Sequence, residues 1–179
     1  MPGGLVLVLM ASLIAAAPST ARVDAYARAQ GNRLPIALKI GTALFVREWP
    51  AQVLKVAAFG FGSHTVVGLR ISGVKFHRPL SRIAYMNEIA SLALGSLAAA
   101  PIEEVDISTV VPLSVGKGVV VAGDLAKPTS RTVFAITIRR GETRSQILAR
   151  MRSGAGVYWD QAWAGTAFAS PRGLGRAPG

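Results

Sequence analysis

The densest cluster of chemically useful side chains is Lys75-Phe76-His77-Arg78-Pro79-Leu80-Ser81-Arg82. Pro79 suits the first position of a helix, where its missing N–H costs nothing, and this predicts a long helix from Pro79 to Ala99. Lys75, His77, Arg78 and Arg82 then surround the helix N-terminus. That end already carries partial positive charge, so cations gathered there favour a phosphate, sulfate or carboxylate among them. The plainer reading splays these side chains into water, or neutralises them with Glu48 or Glu88. A further anion candidate is Val115-Gly116-Lys117-Gly118, whose glycines can turn backbone N–H groups toward a ligand beside Lys117. It is not a Walker A loop, because no Ser or Thr follows the lysine and the upstream glycine is missing. A turn between strands explains it as well.

Other reactive patterns are weaker. Glu103, Glu104 and Asp106 form the only acidic cluster. Glu104 and Asp106 would share a strand face about 7 Å apart, which suits paired acid–base work only inside a cleft; surface arginines are the plainer partners. Asp124, after a glycine turn, is a further carboxylate for such a hydrolase. Ser72 to Lys75 and Ser114 to Lys117 match Ser-x-x-Lys, but both lie in strand or turn, where residues three apart face opposite ways. The two histidines, His64 and His77, lack the additional ligands a zinc site needs. No catalytic set, cofactor motif or metal site emerges.

Composition narrows the field further. The 179 residues favour one domain, and 51% hydrophobic residues suffice for a real core. The absence of cysteine excludes disulfides, Cys-type zinc sites, iron–sulfur clusters, thiol catalysis and a lipoprotein anchor. Twenty Lys and Arg against nine Asp and Glu give +11, and fifteen of the twenty are Arg. Such a surplus favours a polyanionic partner: nucleic acid, acidic glycan or anionic lipid. Compositional bias toward Arg and Ala would produce the same numbers with nothing bound. Phe59, Phe61, Phe76 and Tyr85 interleave with basic residues, in the manner of a nucleic-acid stacking surface. No specific nucleic-acid motif accompanies them.

Leu5 to Ala17 is apolar apart from Ser12, a run of thirteen residues. A bilayer span needs about 20, so the run fits the core of an export signal. Small residues follow, with Ala21 as the expected end of the signal, although no Lys or Arg precedes the run. Ile89 to Pro101, the next apolar stretch, is broken by Ser91, Gly95 and Ser96, so no transmembrane helix is expected after the signal. Residues 1–21 are therefore read as a signal peptide, 22–42 as a linker with a short helix over Val23–Gln30, 43–168 as the domain and 169–179 as a disordered basic tail.

The elements that must position these residues follow from periodicity. Ala43 to Trp49 reads as a strand ending at Pro50. Gln52–Phe59 and Thr65–Phe76 flank the turn Gly60-Phe61-Gly62-Ser63 and predict a hairpin. In the long helix, Asn87, Glu88, Ser91 and Gly95 mark a narrow polar face. Leu80, Ile83, Met86, Ala90, Ala93, Leu94 and Leu97 are expected inward. Strands are predicted at Val105–Leu113, Val119–Ala122 and Thr132–Ile138. Thr143 and Gln146 form a capping box for a short helix from Arg144 to Arg152, and Val157–Trp163 reads as a last strand. The expected fold is α+β. It is a two-layer sandwich with a mainly antiparallel twisted sheet, β-β-α-β-β-α in order, one long and one short helix lying on one face.

The resulting expectation is a periplasmic or secreted, non-enzymatic module that binds an anionic polymer, a lipid surface or an envelope protein. The alternatives are a small hydrolase using strand-borne carboxylates and a structural subunit that assembles through a strand edge. Fractionated cells test the export step. Protein recovered from the envelope or medium should have lost about twenty residues, whereas a full-length cytoplasmic species would contradict the reading.

Overall fold

The computed structural model describes residues 27–29, 33–45, 51–76, 80–113 and 130–168. The expected signal, the strand at Val119–Ala122 and the basic tail all lie outside these residues. The elements run β1 (Ala27–Ala29), α1 (Leu34–Phe45), β2 (Ala51–Phe61), β3 (His64–Phe76), α2 (Arg82–Ala99), β4 (Glu104–Pro112), β5 (Ser130–Arg139), α3 (Arg144–Ser153), β6 (Val157–Trp159) and α4 (Gln161–Ala167). The fold is α+β. Among the described residues, six strands form one mixed sheet, and each strand lies beside its neighbours in sequence. The pairs β2–β3, β4–β5 and β5–β6 are antiparallel, while β1–β2 and β3–β4 are parallel. Parallel neighbours cannot be joined by a tight turn. Helices α1 and α2 supply the two crossovers.

Alternation along the strands separates two sets of residues. Val56, Ala58, Val67, Leu69, Ile71, Val105, Ile107, Phe134, Ile136 and Ile138 are buried in the core with Ile40 and Leu44 of α1, Tyr85 and Ile89 of α2, and Ile147 and Met151 of α3. The cross-strand register keeps this set together: Val56 opposes Leu69, Leu69 opposes Ile107, and Ile107 opposes Ile136. Among the intervening residues, Lys55, Phe59, Arg70, Arg139 and Tyr158 are exposed, and Asp106, Ser108 and Thr137 are half-buried.

Several expectations are corrected. Ala43 to Phe45 ends a helix and does not begin a strand, because Ala37, Ile40 and Leu44 bury one side of α1 at intervals of three and four. That periodicity runs through Gly41 and Thr42, residues of poor helix propensity, and tertiary burial overrides them. Ala27–Ala29 pairs parallel with Val56–Ala58 and so is a strand, not part of a helix. Helix α2 starts at Arg82 with Ser81 as N-cap, whose hydroxyl accepts from the Ala84 N–H at 3.1 Å. A Ser cap two residues downstream therefore displaces the expected start at Pro79. Of the residues expected inward on α2, Met86, Ala90, Ala93 and Leu97 are buried, as is Leu80 just before the helix, whereas Ile83 is 65% exposed; Tyr85, Ile89 and Leu92 are buried in addition. The strand expected through Trp163 stops at Trp159, because Asp160 accepts from the Trp163 N–H at 2.9 Å and starts α4. The capping box at Thr143 and Gln146 is present.

One hydrogen-bonded node ties four elements together. The Glu103 N–H donates to the Thr65 carbonyl at 3.0 Å, and the Thr65 N–H donates to Glu103 Oε2 at 2.6 Å. The Arg140 N–H donates to the Glu103 carbonyl at 2.8 Å. The Arg140 guanidinium donates to the carbonyls of Leu97, Ala100 and Ile102 at 2.9, 2.8 and 2.7 Å. A helix end leaves carbonyls such as that of Leu97 without intrahelical partners, and the last turn of α2 holds no basic residue of its own. Arg140 reaches it from the end of β5, where a cation also complements the helix dipole.

The β2–β3 hairpin reverses at Gly62-Ser63, with Phe61 opposite His64 and Gly60 already opposite Thr65. Gly60 has φ +149° and a Cβ there would run into the His64 carbonyl oxygen, whereas Gly62, at φ +56°, faces open space. Gly62→Ala should therefore cost only the left-handed penalty of about 1–2 kcal/mol. Gly60→Ala adds a backbone clash and should lower the urea midpoint clearly further; equal losses would contradict this hairpin geometry.

Candidate functional site

Of the residues expected to hold an anion, His77, Arg78 and Lys117 lie outside the described residues, and Lys75 is the penultimate residue of β3. Arg82 opens α2 with its guanidinium carbon 4.5 Å from the ring centroid of Trp159. That ring belongs to an aromatic cluster of Tyr85, Phe134, Trp159, Trp163 and Phe168, with neighbouring centroids 4.6–6.4 Å apart. Arg82 is thus held as a cation over a π-face. Beneath it the Tyr85 hydroxyl is hydrogen-bonded to Thr109. Burial drives the Tyr85 phenol far above its ordinary range, and the Thr109 bond acts in the opposite direction.

The acidic cluster is dispersed by its partners. Glu103 is the carboxylate of the node. Glu104 accepts from Arg139 Nε at 3.3 Å, and Asp106 accepts from the Thr137 hydroxyl at 2.6 Å. Each is tied to the strand opposite, at the registers Glu104–Arg139 and Asp106–Thr137. This geometry lends the hydrolase no support, and Asp124 lies outside the described residues. No group of three or more His, Asp or Glu is placed to hold a metal among the described residues. A groove of about 640 Å³ is lined by Val111, Leu113, Arg131, Trp163 and Thr166 among others. Its one charged residue, Arg131, is paired with Asp160.

Most described arginines are engaged in building the fold. Arg33 donates to the Gly62 carbonyl at 2.8 Å and so holds the hairpin turn. Arg144 reaches from α3 to Ser91 Oγ at 3.0 Å and to the Asn87 carbonyl and Oδ1 at 3.1 Å, which uses the polar face of α2 for helix packing. Arg150 donates to Glu142 at 2.7 Å and to the Thr137 carbonyl at 3.0 Å. Arg131, Arg139 and Arg140 are engaged as described above.

Lys55 and Arg70 behave differently. They lie directly opposite one another on β2 and β3, both exposed, and neither has an ion-pair partner among the described residues. Like charges placed this way destabilise a sheet slightly. The same row continues through Ser108 and Ala135 to Tyr158, which is 52% exposed. Phe59, 38% exposed, leans across Gly68: a Cβ at Gly68 would sit 3.2 Å from Phe59 Cε1. Sequence reading missed Lys55 and Arg70, although a signal existed. Counting outward from the two-residue turn, with Phe61 opposite His64, brings residue 55 opposite residue 70.

Comparison with protein-family models, with curated proteins and with solved structures returns no match.

The cap of α4 titrates. The Trp163 N–H and then Arg131 hold the Asp160 carboxyl below its ordinary range. A group depressed in the folded state stabilises it above the ordinary carboxylate pKa and loses that contribution as pH falls through the folded value. Urea midpoints should therefore drop as pH falls below the ordinary carboxylate range, and Asp160→Asn, which can still cap, should narrow that drop. An unchanged drop in the variant would contradict the role of Asp160.

Proposed function

We propose that this chain is an exported, non-enzymatic α+β module that binds an anionic polymer. In this reading the helices form one layer on the core side of the sheet, a two-layer sandwich, and the opposite face is the binding surface. The observation that carries it is the Lys55–Arg70 pair: two exposed cations set against each other with no carboxylate partner among the described residues. Arg33, Arg131, Arg139, Arg140, Arg144 and Arg150 all donate to protein groups. A positive pair that costs stability in the free protein gains a partner when an anion bridges it. The helix-start residues Lys75, His77, Arg78 and Arg82, with Lys117, stay in the proposal as a second contact region.

Heparin chromatography across a salt series tests this. Retention should fall steeply with salt, since displaced counterions drive polyanion binding. Lys55→Ala/Arg70→Ala should reduce the slope by about two, one for each contact. Lys39→Ala/Arg152→Ala removes the same charge from α1 and α3 and should change it far less. Equal effects would reduce the interaction to net charge alone and overturn the proposed surface.

A further inference from the structure

We infer that the exposed sheet face takes single-stranded nucleic acid, with bases stacked on Phe59 and Tyr158 and phosphates at Lys55 and Arg70. This rests on the anionic-partner reading above and names the polymer.

Among the described strand side chains, Phe134 and Trp159 lie in the core, while Phe59 and Tyr158 are exposed. The part of each ring left in water forgoes apolar burial. The residues around the rings are small. Gly68 lies under the Phe59 ring, and Ser108 and Ala135 separate Arg70 from Tyr158. This is a floor on which planar groups can lie flat. At the strand spacing of about 4.8 Å, Arg70 and Tyr158 stand about 14 Å apart across three strand steps, so rings and charges alternate over several nucleotides.

Charge complementarity selects the occupant. The two carboxylates on this face, Glu104 and Asp106, are already engaged by Arg139 and Thr137, which leaves Lys55 and Arg70 as its unpaired charges among the described residues. A sulfated glycan or a lipid headgroup would use the cations but give the rings no comparable role. A duplex keeps its bases stacked internally and cannot offer them to a sheet. Unpaired bases supply both the planar faces and the phosphates that this surface lacks.

The test is fluorescence anisotropy with a short labelled single-stranded DNA of mixed sequence, run beside the heparin series. The oligonucleotide should bind more tightly than its own duplex. Phe59→Ala and Tyr158→Ala should each weaken it roughly tenfold, as loss of one stacking platform does, while leaving heparin retention unchanged. Tyr158→Phe, which keeps the ring, should bind as the parent does. Phe59→Leu keeps apolar cover over Gly68 and serves if the alanine variant fails to fold. Heparin binding without oligonucleotide binding, or oligonucleotide binding indifferent to both rings, would overturn this inference and leave the anionic reading standing. Failure to bind either polymer would overturn both.

Discussion

Three backbone carbonyls in and just beyond the last turn of α2, those of Leu97, Ala100 and Ile102, converge on one guanidinium. Much of the structure depends on that convergence. The parallel pairing of β3 with β4 requires the chain to climb over the sheet and return, and α2 makes that journey. Where it comes down, its last carbonyls have no intrahelical partners, and the chain must turn sharply into β4. Arg140 satisfies those carbonyls while its backbone N–H holds Glu103, and Glu103 in turn grips both backbone groups of Thr65. Charge-assisted hydrogen bonds of this kind are each worth about 1.5–3 kcal/mol. Their larger consequence is geometric. They fix where β3, β4 and β5 begin or end relative to one another, and so which side chains share a row across the exposed face.

Seen from that node, the charge of +11 is not one property. Arg33, Arg140, Arg144 and Arg150 donate to carbonyls, hydroxyls and carboxylates across element boundaries, and their planar, multidentate donors suit this work better than lysine would. They serve as mortar between elements whose apolar faces are otherwise modest, such as the short α3 with Ile147 and Met151 inward. The chain lacks cysteine, so no covalent staple shares the load. Lys55 and Arg70 belong to a second population, which has no ion-pair partner among the described residues and adds local repulsion. Net charge read from composition merges these two populations, and only the second bears on a partner.

The hairpin and the strands at 104–112 and 130–139 were legible because alternation and glycine placement act locally. So was the capping box at Thr143, which needs only four consecutive residues. Helix α1 was not, because its burial is set by contacts with α2 and β2 that override Gly41 and Thr42. Strand β1 was hidden for a similar reason: three residues are assigned by their pairing with Val56–Ala58, a partner distant in sequence. The burial of Tyr85 on α2, beyond the expected inward residues, follows from the aromatic cluster, whose members come from α2, β5, β6 and α4 and from Phe168 just after α4. The anion cluster around Arg78 was read from adjacency along the chain. The Lys55–Arg70 pair exists only through strand register, and its members stand fifteen positions apart.

The division of the arginines is the central claim, and two variants of equal charge test it most directly. Arg140→Gln and Arg70→Gln each remove one positive charge. Urea denaturation and heparin elution of both, in one buffer, should give opposite patterns. Arg140→Gln should lose about 2–4 kcal/mol of stability through the lost charge-assisted hydrogen bonds and elute close to the parent. Arg70→Gln should hold or slightly gain stability and elute earlier. Two variants that shift both measurements alike would contradict the division, and the basic surplus would then act as undifferentiated charge.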